Sequence, residues 1–349
     1  ALWLLVPAEK RKVIFWMWAA TVVPLGTFLI ASNNPSSWAI TGVGTAWFAL
    51  YGFFESQGKR SLLLGALFAV EVIIASGSRG DAAIYTILGS VAVIALTFSS
   101  SKQYLFRLLL PISAAIVSLG FYLSSQQSAV ASTGLADSNL EVSERTPFGV
   151  FAINAVQLPE LWVGAFGNWG LGWLDTKMPG LVWVTSAGIF VLLIALASRY
   201  LSRRKLLVAG GIIAVLYFLP LYVLQKGLNH VGEQVQPRYI LPLIILLAGV
   251  IFLSLAENES PFRPLHVWMA VSGLIIANSL ALYVNTKRYV SGLDNGSGFS
   301  LDANIEWWWD IPISPMLMWM VGTLGFGIAL VCGYLLTNSK VTSLTLNSR

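Results

Sequence analysis

The sequence predicts an all-α, polytopic transmembrane helix bundle, and three observations predict it. Apolar residues make up 56% of the 349 positions and charged residues only 11%, where a soluble domain carries about 25% charge. Mean hydropathy is +0.73. The apolar residues fall in about ten separate runs near the length that crosses hydrocarbon. One transmembrane domain over residues 1–349 accommodates them all.

Composition also removes several function classes. The only cysteine, Cys332, lies in the last apolar run, which leaves no intrachain disulfide and no cysteine-based metal site. Two histidines, His230 and His266, are too few for a His-rich metal site. The net charge of +5 does not argue for nucleic acid, because the basic residues sit mainly in short loops between apolar runs. No P-loop, HExxH or CxxC pattern and no Ser-His-Asp order occurs.

The opening ALWLLVPAEKRK lacks the charged start and cleavage site of a signal peptide. It resembles the tail of an earlier hydrophobic segment, so the natural chain is expected to extend upstream. The expected spans are then Val13–Ala31, Trp38–Phe54, Ser61–Ser76, Ala82–Phe98, Tyr104–Leu123, Met178–Ala197, Leu206–Leu224, Tyr239–Leu255, His266–Val284 and Ile313–Leu336. The third is short and holds Glu71, whose charge in hydrocarbon costs about 3 kcal/mol. Glu71 reads either as an intramembrane proton or ion site, or as a protonated partner in a helix–helix hydrogen bond.

Basic residues orient the bundle. With the N-terminus in the cytoplasm, 14 of the 21 Lys and Arg residues fall on the cytoplasmic side, and 11 of the 16 acids fall outside. Both termini of this chain are then cytoplasmic. The long loops are the outer ones, so the working face is expected there. Segment 148–176, FGVFAINAVQLPELWVGAFGNWGLGWLDT, is aromatic and glycine-rich and too broken for a clean span. It reads as an interfacial helix followed by a re-entrant or surface-lying piece.

The candidate chemistry lies at that outer rim. In VLQKGLNHVGEQVQPRYILPLIILL, Lys226, His230, Glu233 and Arg238 stand between two apolar runs. Pro237 suits the first turn of a helix. The helix N-terminus then adds its partial positive charge to Arg238 and to its neighbour Tyr239, a setting for phosphate. Snorkelling of Arg238 to the headgroups is the plainer reading. Arg79 and Asp81 in SGSRGD either pair with each other or, with Arg79 beside Arg238, clamp a diphosphate. NNPSS, Asn33 to Ser37, reads first as a tight turn that caps the next helix. In GNWGLGWLDTKMP, Trp169 and Trp173 offer faces for a sugar, and Asp175 is either a site carboxylate or a helix cap. His230 or Glu233 would accept a proton, or both belong to a plain polar loop.

Four stretches, SNNPSSWAITG, SRGDAAIY, FGNWGLGWLDTKMP and VQPRYILPLI, occur in the order seen in the DUF2142 family of bacterial membrane proteins, which the chain resembles from roughly Leu4 to Leu255. That family is itself similar to the GT-C glycosyltransferases, which take a sugar from a polyprenyl-phosphate donor on the outer face. The resemblance implies a GT-C-like fold and sugar transfer to an envelope glycan or lipid acceptor. Arg238 and Arg79 would hold the lipid phosphate, Trp169 and Trp173 would line the sugar site, and Asp175, Glu233 or His230 would assist an acceptor hydroxyl. It also implies a divalent cation near the phosphate, with Asp81 as a ligand. One departure stands. GT-C enzymes carry a catalytic carboxylate in the first outer loop, and NNPSS has none. Either that loop lies upstream of Ala1, or the chain is not a transferase. The alternatives are a transporter or flippase for a lipid-linked glycan that uses Glu71, and a non-catalytic membrane subunit.

Overall fold

The computed structural model describes residues 1–125, 129–130, 134, 145–171, 175–257, 260–294 and 298–338. Among them the chain is helical, with one isolated bridge between Leu171 and Thr176. Short α1 (Leu2–Leu5) leads into α2 (Ala8–Ala19), α3 (Leu25–Ala31), α4 (Pro35–Glu55), α5 (Gly58–Ser78) and α6 (Gly80–Thr97). Then come α7 (Lys102–Arg107), α8 (Leu109–Ser124), α9 (Pro147–Gly164), α10 (Gly180–Ser198) and α11 (Arg203–Gly227). The last are α12 (Pro237–Phe252), α13 (Ser254–Glu257), α14 (Pro264–Val290) and α15 (Pro315–Asn338).

Among the described residues, eight helical stretches are long and apolar enough to cross a membrane: α5, α6, α7 with α8, α10, α11, α12 with α13, α14 and α15. The two other expected spans differ for physical reasons. The run 13–31 is divided between α2 and α3, because residues 20–24 turn and Pro24, which lacks an N–H, stands at the start of α3. The run 38–54 is α4, whose serines, threonines and glycines dilute its hydropathy and whose middle is almost wholly buried in protein.

The hub is α12. Its apolar window is 89% buried, against 6% for α15, and it packs on α2, α4, α6, α9, α10 and α11. An apolar helix shielded from lipid on every side can hold its first turn in a fixed place.

Successive helices alternate between two ends. One end carries the short connectors, and there cations meet helix C-termini. Arg107 donates to the carbonyls of Phe53, Phe54 and Ser56 at 3.0–3.2 Å. Arg204 donates to Leu96 and Phe98. Carbonyls that no further helical turn would satisfy are closed in this way. Ion pairs Lys10–Glu55 and Lys205–Glu257 lie at the same end.

The other end carries the long connections, and α9 shows how one is used. Thr146 caps α9 through Gly149 N–H at 3.2 Å. Gln225 then donates to Pro147 O, Tyr217 to Ala155 O and Trp162 to Leu216 O, so α9 descends along α11 from its end. It stops where Gly164 meets Pro237; a Cβ on Gly164 would stand 2.5 Å from the proline ring. Turns at 165–169 and the 171–176 bridge lead back to α10, which starts at the long-loop end. The segment enters and returns without crossing, as a re-entrant piece does.

Candidate functional site

Three parallel helices, α4, α6 and α12, begin at the long-loop end and pack on one another. Close contacts fix their register. A Cβ on Gly44 would lie 3.4 Å from Ile245, and Gly249 packs on Trp47, so Ser36 and Ser37 of α4 stand level with Pro237 and Arg238 of α12. Trp47 also lies 3.2 Å from the Cβ position of Gly89, which brings the start of α6 to the same level. Between antiparallel α4 and α5, Gly42 meets Ala75 and Gly52 meets Leu64, and that pairing sets Arg79 opposite Ser37. Three helix N-termini therefore face one layer, each contributing about half a positive charge. Neither α6 nor α12 has a side-chain cap from its N-cap residue.

Two arginines share that layer. The guanidinium of Arg79 lies 4.5 Å from the centre of the Tyr239 ring and that of Arg238 lies 5.3 Å from the same ring. Arg79 is also bidentate to Asp81, Nε to Oδ1 and Nη2 to Oδ2, both at 2.9 Å. Arg79 thus pairs with Asp81, the first reading of SGSRGD, while the Tyr239 ring that it stands over is the one that Arg238 also approaches. Arg238 has no carboxylate partner among the described residues, and its Nε is buried without an acceptor. Ser36 Oγ and Gln236 Oε1, from the same layer, are buried without partners as well. Buried polar atoms left so are costly unless something else completes them.

A cavity of about 260 Å³ opens beside this layer. Arg79, Asp81, Tyr85, Tyr122, Tyr222 and Tyr239 line it, with Ile84, Leu219, Pro220, Val223, Val235 and Ile240 among the apolar walls. Tyr85 is buried at 4% exposure. Sequence reasoning missed Tyr85, Tyr122 and Tyr222. Only Tyr85, in SRGDAAIY, carried a signal, since it falls one helical turn after Asp81.

The loop between α11 and α12 is held from beneath. Asn154 of α9, wholly buried, donates to Asn229 O at 2.8 Å and accepts from Val231 N–H at 3.0 Å. Arg145 grips Glu233 through two 2.8 Å hydrogen bonds and donates to Leu228 O. Glu233 also accepts from His230 N–H at 2.7 Å. The Arg145 hydrogen bonds hold the Glu233 carboxyl below its ordinary pKa. His230 Nδ1 is buried without a partner.

Of the candidates, Arg79, Asp81 and Tyr239 line the cavity; Arg238, His230, Glu233 and the remaining described ones do not. Lys226 is exposed, 5.6 Å from the ring of Tyr222. Trp169 packs beside Gly164 and so neighbours the first turn of α12. Trp173 lies outside the described residues. Asp175 does not cap α10, whose N-cap is Pro179; it pairs with Arg288 at 2.7 Å, and that bond keeps its pKa low. Glu71 sits about 12 Å below Arg79 along α5 and has no hydrogen bond or ion pair among the described residues. The set does not fit a cation: both Asp81 oxygens accept from Arg79, one also from Ala82 N–H. No group of three His, Cys, Asp or Glu side chains is placed for one among the described residues.

A family model described as a predicted membrane protein, DUF2142, matches residues 2–247. Every cavity-lining residue falls inside that match. No curated protein and no solved structure matches the chain.

Proposed function

The chain belongs to the DUF2142 family of membrane proteins, and from that premise we propose that it holds the phosphate of a lipid-linked sugar in the Arg79–Tyr239–Arg238 layer and transfers the sugar to an envelope glycan or lipid. The observation that carries this reading is the meeting of two guanidinium groups on one tyrosine ring, at the level of three helix N-termini. Arg79 and Asp81 together are neutral, so Arg238 and the helix dipoles leave the layer positive. A phosphate oxygen is the acceptor that Arg238 Nε lacks.

In this reading the long-loop end is the outer face, and both ends of this chain lie on the cytoplasmic side of the inner membrane. Glu233 and Asp175, each gripped by an arginine, stay ionised and tie down the loops that carry them. His230 is the group left to take a proton from an acceptor hydroxyl. Trp169 and Trp173 contribute faces for the sugar, and Lys226 adds positive charge at the rim. No step runs through a metal ion.

Glu71 supports a second reading, a transporter for the same lipid-linked glycan, because an ionisable group in a span, with no hydrogen bond or ion pair among the described residues, is costly to keep there. Sugar transfer from a polyprenyl-phosphate donor, followed with purified protein in lipid nanodiscs, separates the two. Transfer lost in Arg238→Ala and kept in Glu71→Gln supports the transferase. Glycan translocation in vesicles that Glu71→Gln abolishes, with no transfer by the wild type, contradicts it.

A further inference from the structure

Below the recess, α6, α11 and α12 line an apolar groove. Its floor is α12, where Leu243 and Leu246 follow Tyr239 at intervals of four and three and so share its face. One wall is α6, where Leu88, Val91, Ala92 and Ala95 continue the stripe of Asp81, Ile84 and Tyr85. The other wall is α11, from Val215 and Ile212 down to Gly211, Val208 and Leu207, beneath Leu219 and Val223 of the recess. The groove holds about 350 Å³. It lies at the surface of the bundle, since Val91 is 57% and Leu207 76% exposed.

We propose that this α6–α11 groove seats the hydrocarbon chain of the very lipid whose phosphate lies between Arg79 and Arg238, so that one site reads headgroup and tail together. The proposal rests on the phosphate reading above and adds the tail to it. Three observations argue for that one occupant. The groove follows the recess along α6, α11 and α12, one helical turn on, and its lining has no charged or polar side chain. From Leu88 to Ala95 it runs about 10 Å along α6, room for about two isoprene units. Small residues widen its lower part: a side chain at Gly211 would meet nothing within 4 Å, and Ala95 is exposed. An ordinary annular lipid would touch the same surface without its headgroup reaching a recess walled by Tyr85 and Tyr239.

Gly211 supplies the test and Gly210 its control. Both have free space around a Cβ, but only Gly211 lines the groove. Binding of geranyl phosphate and undecaprenyl phosphate is measured with the purified full chain in detergent, for wild type, Gly211→Leu, Ala95→Leu, Gly210→Leu and Arg238→Ala. The wild type and Gly210→Leu are expected to bind the long chain at least about tenfold, or 1.4 kcal/mol, tighter than the short one. Gly211→Leu and Ala95→Leu are expected to erase that preference and leave geranyl phosphate binding unchanged, whereas Arg238→Ala weakens both. A tail preference that is absent in the wild type, or survives in both groove variants, overturns the groove while the phosphate reading stands on geranyl phosphate. Failure of the wild type to bind either phosphate overturns both.

Discussion

Arg238 brings a guanidinium nitrogen into protein without an acceptor, next to two other buried polar atoms in the same condition. Such atoms cost roughly 1–3 kcal/mol each when nothing completes them, so an anion bound there gains more than it would at an exposed arginine. The loop that precedes Arg238 shows what residue-scale support that placement needs. Asn154 satisfies two backbone groups of the loop at once. Asn154→Leu is expected to destabilise the protein by about 1–3 kcal/mol, since it removes both hydrogen bonds that a wholly buried side chain makes to the loop, and thermal unfolding in detergent measures it. Glu233 gives a pH dependence. Its folded-state pKa lies below its unfolded value, so the Arg145–Glu233 pair adds stability above the ordinary glutamate range and loses it as pH falls through the folded value. The melting temperature is expected to drop below about pH 4 by more in the wild type than in Glu233→Gln. Equal drops would show that the pair does not hold the loop.

Elements placed these residues, and they were only partly legible. Hydropathy located α6 as 82–98, where the helix is Gly80–Thr97, and α5 as 61–76, where it is Gly58–Ser78. Length and apolar composition suffice for that. The break between α2 and α3 stayed hidden because the residues on both sides are equally apolar. Burial of α12 stayed hidden because protein and lipid reward the same side chains. Arg79 and Arg238 could be read singly as cations at the rim, yet their meeting depends on the register of helices far apart in sequence. That register is written in glycines. At Gly164, α9 comes into van der Waals contact with Pro237, and Gly164→Leu is expected to cost about 1–3 kcal/mol by overpacking. A thermal shift as small as that of an exposed substitution would show that α9 does not brace the start of α12.

At the scale of the whole molecule, charge and architecture agree on two unlike ends. One is closed by Arg107, Arg204 and two Lys–Glu pairs, with short connectors. The other carries the long connections, the re-entrant α9 segment and three ion pairs that tie loops down or line the recess. Lys59 is exposed at the first end and Asp310 at the second. In a variant with Cys332 replaced, a membrane-impermeant maleimide applied to intact spheroplasts is expected to label Asp310→Cys and spare Lys59→Cys. The reverse pattern would put the recess on the cytoplasmic side and remove the case for an outer-face transferase.

The most direct measurement of the central claim is the affinity of the purified protein for a polyprenyl phosphate, with wild type, Arg238→Ala and Arg79→Ala compared. The convergence of both arginines on Tyr239 predicts a loss of about tenfold or more, at least 1.4 kcal/mol, in each variant. Binding that is absent in the wild type, or identical in all three, would contradict a phosphate site in this layer.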